Sequence, residues 1–371
     1  MKRSGGAPIF GSVAPHIDDL SSALLAWFDA ALRDLPWRRD RDPYRVWISE
    51  VMLQQTRVET VAPRFERWLA RFPSVAALAD AGLDEVLAEW EGLGYYTRAR
   101  NLHAAARMVR ERHGGGLPDT FEELRALPGV GEYTAGAIAS IAFDRPEPAV
   151  DVNARRVLAR LFDLAGPSPR ALRERASAGM PRDRPGDFNQ ALIELGATVC
   201  LAQSPHCGEC PLSAGCLALA RGTVAARPGR TRRSEVPVFE LGVAVVVSPA
   251  GRALMARRSE NGMLGGMWEF PGRVVERGEG AGAAAERAAA ALLDTAVRIR
   301  PLAAVHQAYS HRRHVYRAFL FESQVEAGTD ASAVSAGGWT SAAWVEPDPA
   351  RRALPAAQRR IARALAEIVP C

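Results

Sequence analysis

The sequence lacks any apolar run that approaches the ~20 residues a membrane-spanning helix requires. It is also poor in cysteine, with 5 in 371 residues. Met1 is followed by a polar stretch rich in Gly and Ser, and not by a basic region with an apolar core, so secretion is not predicted. We therefore expect a cytoplasmic protein with reduced thiols, a setting in which clustered cysteines bind metal or take part in catalysis.

The bulk composition is that of a globular protein. The hydrophobic content of 48% is ordinary, and 371 residues are enough for two domains. The formal net charge of +5 and the sequence pI of about 9.2 are compatible with an anionic polymer as partner. A compositional bias towards Arg and Ala, without functional meaning, would explain the same charge.

Four of the cysteines form one short row with the spacing C-x6-C-x2-C-x5-C: Cys200, Cys207, Cys210 and Cys216. Structural zinc sites usually consist of two short pairs separated by a longer loop, and this row contains only one such pair. Four thiolates within one helix-rich stretch favour an iron–sulfur cluster, with zinc as the alternative. The fifth cysteine, Cys371, has no assigned role.

The chain changes character after residue 221. Residues 18–221 show helical spacing almost throughout, and Thr120 and Glu123 form a capping box. Residues 222–237 are rich in Arg, Gly and Pro and predict an exposed linker. Residues 238–371 open with a strand–turn–strand pattern and include a helix at 283–293. We predict a mainly α domain followed by a smaller α+β domain.

The segment LPGVGEYT, residues 127–134, joins two predicted helices. Gly129 and Gly131 predict a tight turn that other residues would resist. They also remove side chains from the surface, so that backbone amides around Val130 can meet a DNA phosphate without reading its sequence. An ordinary turn between helices is the alternative interpretation.

Two carboxylates stand in apolar surroundings. On a helix, Glu50 has Val46, Trp47 and Leu53 as neighbours, so burial would raise its pKa and make it a general acid near neutral pH. A position on the polar side of an amphipathic helix is the alternative. Asp151 lies in the apolar stretch 149–152 just before a helical segment, where an N-cap is the commonest role.

These features together resemble the endonuclease III branch of the helix-hairpin-helix DNA glycosylases, and within it the MutY-type adenine DNA glycosylases. The hairpin, the lone Asp151 and the cysteine row carry the resemblance. Longer matches are LPWR at 35–38, WISEVMLQQT at 47–56 and EGLGYYTRARNL at 91–102. The second domain resembles the family's Nudix-like domain more weakly, through MLGGMWEFPG at 263–272.

The resemblance implies an activity, cofactors and partners. It implies a monomeric enzyme that removes adenine paired with 8-oxoguanine or guanine from double-stranded DNA, in base excision repair. It also implies a [4Fe–4S] cluster and leaves room for a monovalent cation at the hairpin. A catalytically silent lesion sensor and a thymine or oxidised-pyrimidine glycosylase are the alternatives on the same scaffold.

The resemblance also implies catalytic roles. Glu50 would protonate N7 of the departing adenine, and Asp151 would stabilise the oxocarbenium-like sugar or attack it. Tyr133 stands where bifunctional relatives carry a lysine that forms a Schiff base, so we expect no strand cleavage. Asn153 supports the reaction, and Val152 replaces the glycine usual in the family, which leaves the geometry at Asp151 open.

Further matches concern the duplex and the adenine. Gln55 and Tyr95 match the wedge residues that fill the stack when a base is flipped out. Arg38 and Glu194 match residues around the adenine pocket. A solvated helix face for Gln55 and a core position for Tyr95 are the alternatives.

In the second domain, Tyr309, Ser310 and His311 match the loop that senses 8-oxoguanine, where the family usually has Phe at the position of Tyr309. An exposed strand end is the alternative for His311. The helix at 283–291 lacks the paired glutamates with which Nudix hydrolases hold magnesium, so nucleotide hydrolysis is not expected.

Overall fold

The computed structural model describes residues 17–31, 33–229, 236–259, 262–293, 295–309, 311–324, 338–346 and 354–368. Contacts divide them into two compact units. Unit 1 contains the described residues up to Ala77 and those from Ala105 to 229. Unit 2 contains Leu78–Ala104 and the described residues from 236 onwards. Within these ranges, no helix combines the length and apolarity needed to cross a membrane.

Helices form most of the described chain before residue 229, as predicted, and no strand occurs among residues 17–31 and 33–229. The helices are α1 (Ile17–Ala31), α2 (Pro43–Leu53), α3 (Val58–Arg71), α4 (Val75–Asp80), α5 (Leu83–Glu89), α6 (Thr97–His113), α7 (Phe121–Arg125), α8 (Glu132–Phe143), α9 (Val152–Leu161), α10 (Pro169–Ala178), α11 (Pro185–Thr198) and α12 (Leu217–Ala220). Short 3-10 turns lie at Pro36–Arg38, Cys207–Glu209, Ser213–Gly215 and Val224–Ala226.

Local capping explains where several of these helices begin. Asp42 caps α2 by accepting a hydrogen bond from the amide of Arg45 at 2.9 Å, and Pro43 supplies the fixed φ that suits a first turn. The predicted capping box before α7 is confirmed, since the Thr120 hydroxyl lies 2.7 Å from a Glu123 carboxylate oxygen and 3.4 Å from the Glu123 amide.

The core of unit 1 brings α9 and α11 into close contact beneath the candidate site. Leu158, Leu192 and Leu195 are buried in one cluster that the cysteine row also contacts. Gly196 makes this approach possible, because a Cβ atom built there would lie 2.7 Å from the Cβ of Asn153. The first turn of α9 is therefore held directly against α11.

The described residues of unit 2 from 236 onwards form one mixed sheet between two helices, which confirms the α+β prediction for this part of the chain. Its strands are β1 (Val238–Val247), β2 (Ala253–Arg258), β3 (Trp268–Glu269), β4 (Gly272–Val274), β5 (Val297–Ala308), β6 (Arg313–Glu322) and β7 (Trp339–Val345). The main order is β3-β2-β1-β6-β5, with β4 also pairing with β1 and β7 with β2. Only the β1–β6 pair is parallel among the described strands.

Two helices cover the two faces of this sheet. Helix α13 (Ala281–Ala290) buries Ala285 and Ala289 against one face. Helix α14 (Ala356–Ala366) buries Ile361 and Leu365 against the other. Burial alternates along most of β6, so one face of the strand lies in the core throughout, while Phe319 and Phe321 near its end pack on the opposite face.

Candidate active site

Glu50 is a buried carboxylic acid near the end of α2. Only 8% of its surface is exposed, and Trp47 on the preceding turn is completely buried. Burial raises the pKa of Glu50 to about 7. The negative charge of Asp151 contributes to this rise in pKa, and the positive charge of Arg38 opposes it. The predicted environment is confirmed, and the carboxyl group is poised to give and take a proton near neutral pH.

Tyr133 is the direct partner of this acid. It lies in the first turn of α8, and its hydroxyl donates a hydrogen bond of 2.7 Å to Oε2 of Glu50. That bond favours the ionised carboxylate and so lowers the pKa of Glu50, against the effect of burial. Burial also raises the pKa of Tyr133 well above its ordinary value, so the phenol remains a donor.

Asp151 caps helix α9, as its sequence context predicted. One carboxylate oxygen accepts from the amides of Asn153 at 2.8 Å and Ala154 at 2.7 Å, and the other accepts from the Asn153 side-chain amide at 2.9 Å. Burial raises the pKa of Asp151, while these three hydrogen bonds oppose that rise. Capping and a catalytic role are therefore compatible, because the cap fixes the orientation of the carboxylate.

Val152 does not disturb this geometry. It is the first residue of α9, outside the left-handed backbone region, so glycine is not required there. Its side chain is 74% exposed. It stands at a pocket of about 260 Å³ whose lining includes Tyr133, Val150, Asp151, Val152, Arg155 and Arg173.

Arg38 and Glu194 form an ion pair, as two residues of one pocket should. Nη2 of Arg38 lies 2.8 Å from Oε2 of Glu194, a carboxylate only 2% exposed. Burial raises the pKa of Glu194, but hydrogen bonds and charge from Arg33 and Arg38 outweigh it and leave the pKa below its ordinary value. Nη1 of Arg38 is buried and donates to no atom of the described structure.

Arg33 was missed by the sequence reasoning. Its Nη2 donates to Oε2 of Glu194 at 2.9 Å, and its Nε contacts Oε1 of the same carboxylate. The two residues are 161 positions apart in the chain, and no local pattern links them. Only the burial of the Glu194 carboxylate would have indicated a second arginine, because a buried charge requires partners of opposite charge.

The hairpin geometry corrects one step of the sequence argument. Gly129 has φ of 77°, which favours glycine as predicted. Gly131 is the N-cap of α8 with φ of −89° and ψ of −179°, a conformation that any residue adopts. A Cβ built on Gly131 would meet nothing within 4 Å. Glycine at position 131 therefore serves only to leave no side chain in front of the first amides of α8, which have no partner within the helix.

The two candidate wedge residues share an unusual backbone. Gln55, in unit 1, has φ of 55°, and Tyr95, in unit 2, has φ of 49°. Gln55 is exposed, and Tyr95 is 43% exposed although the adjacent Tyr96 is buried. A core role for Tyr95 is thus wrong. Strained residues of this kind concentrate at functional sites.

The four cysteines of the row line one small pocket of about 30 Å³, together with Val199, Leu219 and Val224. No three His, Cys, Asp or Glu side chains in the described ranges are gathered around one point as at a single-ion site. Burial raises the pKa of Cys210 to about 11, while the amide of Leu212 lowers it. An apolar pocket disfavours free thiolates, so four of them there suit a positively charged metal cluster.

Two arginines of α9 connect to the row. Arg156 donates to the carbonyl of Cys200 at 2.7 Å and to Oδ1 of Asn153 at 2.9 Å. Arg160 is 3% exposed, lies 3.4 Å from Sγ of Cys200 and donates to the carbonyl of Leu201 at 2.6 Å. The cysteine row is thus fastened to the helix that Asp151 caps.

The candidate base-sensing loop of unit 2 lies in the turn between β5 and β6. Tyr309 is partly buried, and its hydroxyl lies 3.0 Å from that of Tyr316. His311 is exposed. Ser310 lies outside the described residues.

The acidic residues near α13 are held by arginines. Arg287 pairs with Glu279 at 2.7 Å and Glu276 at 3.1 Å, and Arg298 pairs with Glu286 at 3.2 Å. These carboxylates already have cationic partners, which fits the prediction that this helix does not serve as a magnesium site.

Three family models match the chain. Residues 48–182 match the HhH-GPD superfamily base excision DNA repair protein, residues 200–216 the iron–sulfur binding domain of endonuclease III, and residues 242–364 the NUDIX domain. The chain therefore carries a helix-hairpin-helix repair domain, an iron–sulfur module and a Nudix-like domain. The choice of an iron–sulfur cluster over zinc for Cys200, Cys207, Cys210 and Cys216 is confirmed.

Curated relatives share the same name. The chain is 40% identical over 328 residues to the adenine DNA glycosylase of Mus musculus, which covers 73% of this chain and 63% of the relative. It is 38% identical over 321 residues to that of Homo sapiens, covering 71% and 59%. It is 44% identical over 194 residues to that of Mycolicibacterium smegmatis, covering 51% and 66%. The chain thus spans less than two thirds of the length of these relatives.

Two solved structures resemble the N-terminal part. A thermostable thymine-DNA glycosylase matches with a TM-score of 0.53 and 28% identity, over 56% of this chain and 97% of its own. A trapped covalent intermediate of endonuclease III with DNA matches with a TM-score of 0.50 and 26% identity, over 57% and 99%. The helical scaffold is thus that of DNA glycosylases.

Proposed function

We propose that this chain, in which an HhH-GPD repair domain and an iron–sulfur module precede a Nudix-like domain, is a monofunctional adenine DNA glycosylase. It acts on adenine paired with 8-oxoguanine or guanine in double-stranded DNA. The observation that carries the proposal is the buried acid Glu50, hydrogen-bonded by Tyr133 at 2.7 Å in a domain whose curated relatives are adenine DNA glycosylases.

Glu50 is the proton donor in this proposal. With a pKa of about 7, a substantial fraction of the buried carboxyl is protonated at neutral pH. It gives its proton to N7 of the flipped adenine, which turns the base into a better leaving group. After the base departs, the Glu50 carboxylate accepts a proton from the attacking water.

Asp151 stabilises the sugar. The bond between C1′ and the base breaks with positive charge developing on the ring, and a fixed carboxylate stabilises that charge or attacks C1′. Three hydrogen bonds from Asn153 and Ala154 orient the Asp151 carboxylate before substrate arrives. Asn153 thereby acts as the positioning partner.

Arg38 and Glu194 hold the adenine. The ion pair leaves Nη1 of Arg38 as a buried donor without a partner, and the purine ring offers acceptors for it. The hydrogen bond and positive charge of Arg33 lower the pKa of Glu194 and so keep this carboxylate ionised. The opposite base is read in unit 2 by the loop of Tyr309, Ser310 and His311.

The absence of strand cleavage follows from the composition. Tyr133 has no amine, and Lys2 is the only lysine in the whole sequence. A Schiff base needs a neutral amine at the sugar. The product is therefore an abasic site with an intact strand.

The iron–sulfur cluster positions the protein on DNA and takes no part in bond breaking. Cys200, Cys207, Cys210 and Cys216 would hold it, and Arg156 and Arg160 connect its module to α9. When bound, the cluster would crosslink the four thiolates rigidly through its positively charged iron atoms.

The decisive experiment is a single-turnover assay on duplexes with adenine opposite 8-oxoguanine, guanine or cytosine, followed by alkali. We expect alkali-dependent cleavage at adenine opposite 8-oxoguanine and guanine, and none opposite cytosine. Strand breaks without alkali would contradict the role assigned to Tyr133. Excision of thymine from a G:T duplex would instead favour the relationship to the thymine-DNA glycosylase.

Two further outcomes separate the remaining alternatives. Tight binding to the mispair without any excision would identify a silent lesion sensor. Release of pyrophosphate from 8-oxo-dGTP would assign hydrolysis to the Nudix-like domain, which the pairing of Arg287 with Glu276 and Glu279 opposes.

A further inference from the structure

Three polar aromatic residues form a continuous hydrogen-bonded chain beneath the turn that joins β5 and β6. The Tyr309 and Tyr316 hydroxyls lie 3.0 Å apart, and the Tyr316 hydroxyl lies 3.1 Å from Nδ1 of His314. We call Tyr309, Tyr316 and His314 the aromatic chain. None of the catalytic steps proposed above uses Tyr316 or His314.

The aromatic chain is built into the sheet. His314 and Tyr316 are two residues apart on β6, so both side chains point to the same face. They are only 6% and 5% exposed. The rings of Tyr309 and His314 meet edge-on with centroids 5.1 Å apart, and Phe239 on β1 contacts His314 at 5.8 Å. Through these contacts the aromatic chain connects the turn to the central strands β6 and β1.

His314 acts as a neutral partner. The pKa of His314 is lowered to about 4, mainly by burial and to a smaller extent by the nearby charges of Arg312 and Arg258. A neutral imidazole has one donor nitrogen and one acceptor nitrogen. The Tyr316 hydroxyl therefore always has a partner on one side, and its other hydrogen-bonding position is filled by Tyr309.

The turn itself is closed at its base. The amide of Tyr309 donates to the carbonyl of Arg312 at 2.8 Å, which brings the ends of the turn together. The tyrosine hydroxyl then anchors the first turn residue from its side chain. Main chain and side chain are thus both fixed at Tyr309, two residues before the exposed His311.

We propose that Tyr316 and His314 are positioning residues for recognition of the base opposite adenine, acting through the Tyr309 hydroxyl. This rests on the proposed function and deepens it. A phenylalanine at position 309 would have no hydroxyl for Tyr316. In this protein the oxygen atom of Tyr309 connects the recognition turn to buried Tyr316 and His314.

The test compares binding of two intact mispairs in a Glu50→Gln background, which removes excision from the measurement. The dissociation constant is measured for duplexes with adenine opposite 8-oxoguanine and opposite guanine, in the full chain. We expect Tyr316→Phe to reduce the preference for 8-oxoguanine about tenfold, because a buried hydroxyl and imidazole lose their common partner. Tyr309→Phe should reduce it about threefold, since Tyr316 keeps His314.

The double variant Tyr309→Phe/Tyr316→Phe should lose no more than Tyr316→Phe alone, because both changes break the same hydrogen bond. Phe321→Leu is the matched control. It lies on the same strand but belongs to the core on the opposite face, so it should lower stability and leave the preference within twofold.

The outcomes are separable. If the parent enzyme excises adenine and prefers 8-oxoguanine, but both tyrosine variants keep that preference, the positioning role is overturned. If the parent excises no adenine, the proposed function itself fails. If Tyr316→Phe does not fold, Tyr309→Phe, which removes a single partly buried oxygen, decides the question alone.

Discussion

At the scale of single residues, the proposed chemistry depends on the pair of Glu50 and Tyr133. Burial and one hydrogen bond act on the pKa of the same carboxyl in opposite directions, and burial has the larger effect. The result is an acid whose pKa of about 7 suits both protonation of a base and later acceptance of a proton. Each effect can be removed separately by substitution.

Replacement of Glu50 by Gln removes the transferable proton and keeps the shape. We expect single-turnover excision to fall by roughly 10²–10⁴-fold, the usual contribution of a general acid. Affinity for the mispaired duplex should change less than threefold. Glu66→Gln on α3 is the control, since that carboxylate is 61% exposed. Unchanged excision by Glu50→Gln would exclude the acid role.

The same residue makes stability depend on pH. Because the folded pKa of about 7 lies above the ordinary 4.5, the folded state binds the proton more tightly than the unfolded chain does. This contribution is fully present below pH 4.5 and is lost as the pH rises through 7. Relative to Glu50→Gln, the parent protein should lose about 3 kcal/mol between pH 4 and pH 8.

Unfolding in urea at several pH values measures this difference. The curves of the parent and of Glu50→Gln should diverge as the pH rises, with the variant more stable at pH 8. Parallel curves across this range would show that the acid is not desolvated in solution.

At the scale of elements, the contact between α9 and α11 positions Asp151. Gly196 on α11 lies against Asn153, the residue that holds the Asp151 carboxylate by its amide and its side chain. Neither helix can move away easily, because Arg156 joins Asn153 to the carbonyls of Gly196 and Cys200. The pair of helices α9 and α11 thus holds the Asp151 carboxylate in place.

Gly196→Ala tests whether the close contact between α9 and α11 is required. In an ordinary helix the change would stabilise the protein by about 1 kcal/mol. Here the new Cβ would lie 2.7 Å from a side-chain carbon and 2.8 Å from the backbone of Asn153. We expect a destabilisation of about 1–3 kcal/mol and a slower excision step at saturating DNA. Gly166→Ala, where nothing lies within 4 Å, should change neither quantity. A more stable, fully active Gly196→Ala would contradict the model of close packing.

Local sequence predicted only part of what depends on local contacts. The cap at Asp151 was predictable from its place before α9. For Glu50 the helix neighbours left both a buried position and a place on the polar side of the helix open, and the family resemblance favoured burial. The supporting residues were not predictable, because Arg33 and Glu194 are 161 positions apart and Arg156 and Cys200 are 44 apart. The role of Gly131 was misread, since a glycine required for its backbone and one required for a bare surface have the same sequence pattern.

At the scale of the whole molecule, positive charge is carried almost entirely by arginine. Of 47 cationic residues, only Lys2 is a lysine. Many of these guanidiniums are used inside the units, as in the links from Arg156 and Arg160 to the cysteine row. A guanidinium has five N–H donors in a fixed plane, so one arginine can bind several carbonyls at once.

Removal of a cluster ligand should affect the stability of the protein as a whole. In Cys210→Ser we expect loss of the visible iron–sulfur absorption and a lower thermal midpoint. A loss of about 2–3 kcal/mol would correspond to roughly 5–10 °C for a unit of this size. Cys371→Ser, outside the row, is the control and should keep both properties. An unchanged spectrum in Cys210→Ser would remove that cysteine from the ligand set.

The left-handed backbone at Gln55 and Tyr95 bears on how the proposed glycosylase would search a chromosome. Both residues have φ near 50°, a conformation that the surrounding chain must stabilise. Wedge residues fixed in this way would need no loop rearrangement at each base pair examined. The time spent at each pair would then be governed by how readily the duplex opens there, so that mispairs, which open most readily, would be sampled longest.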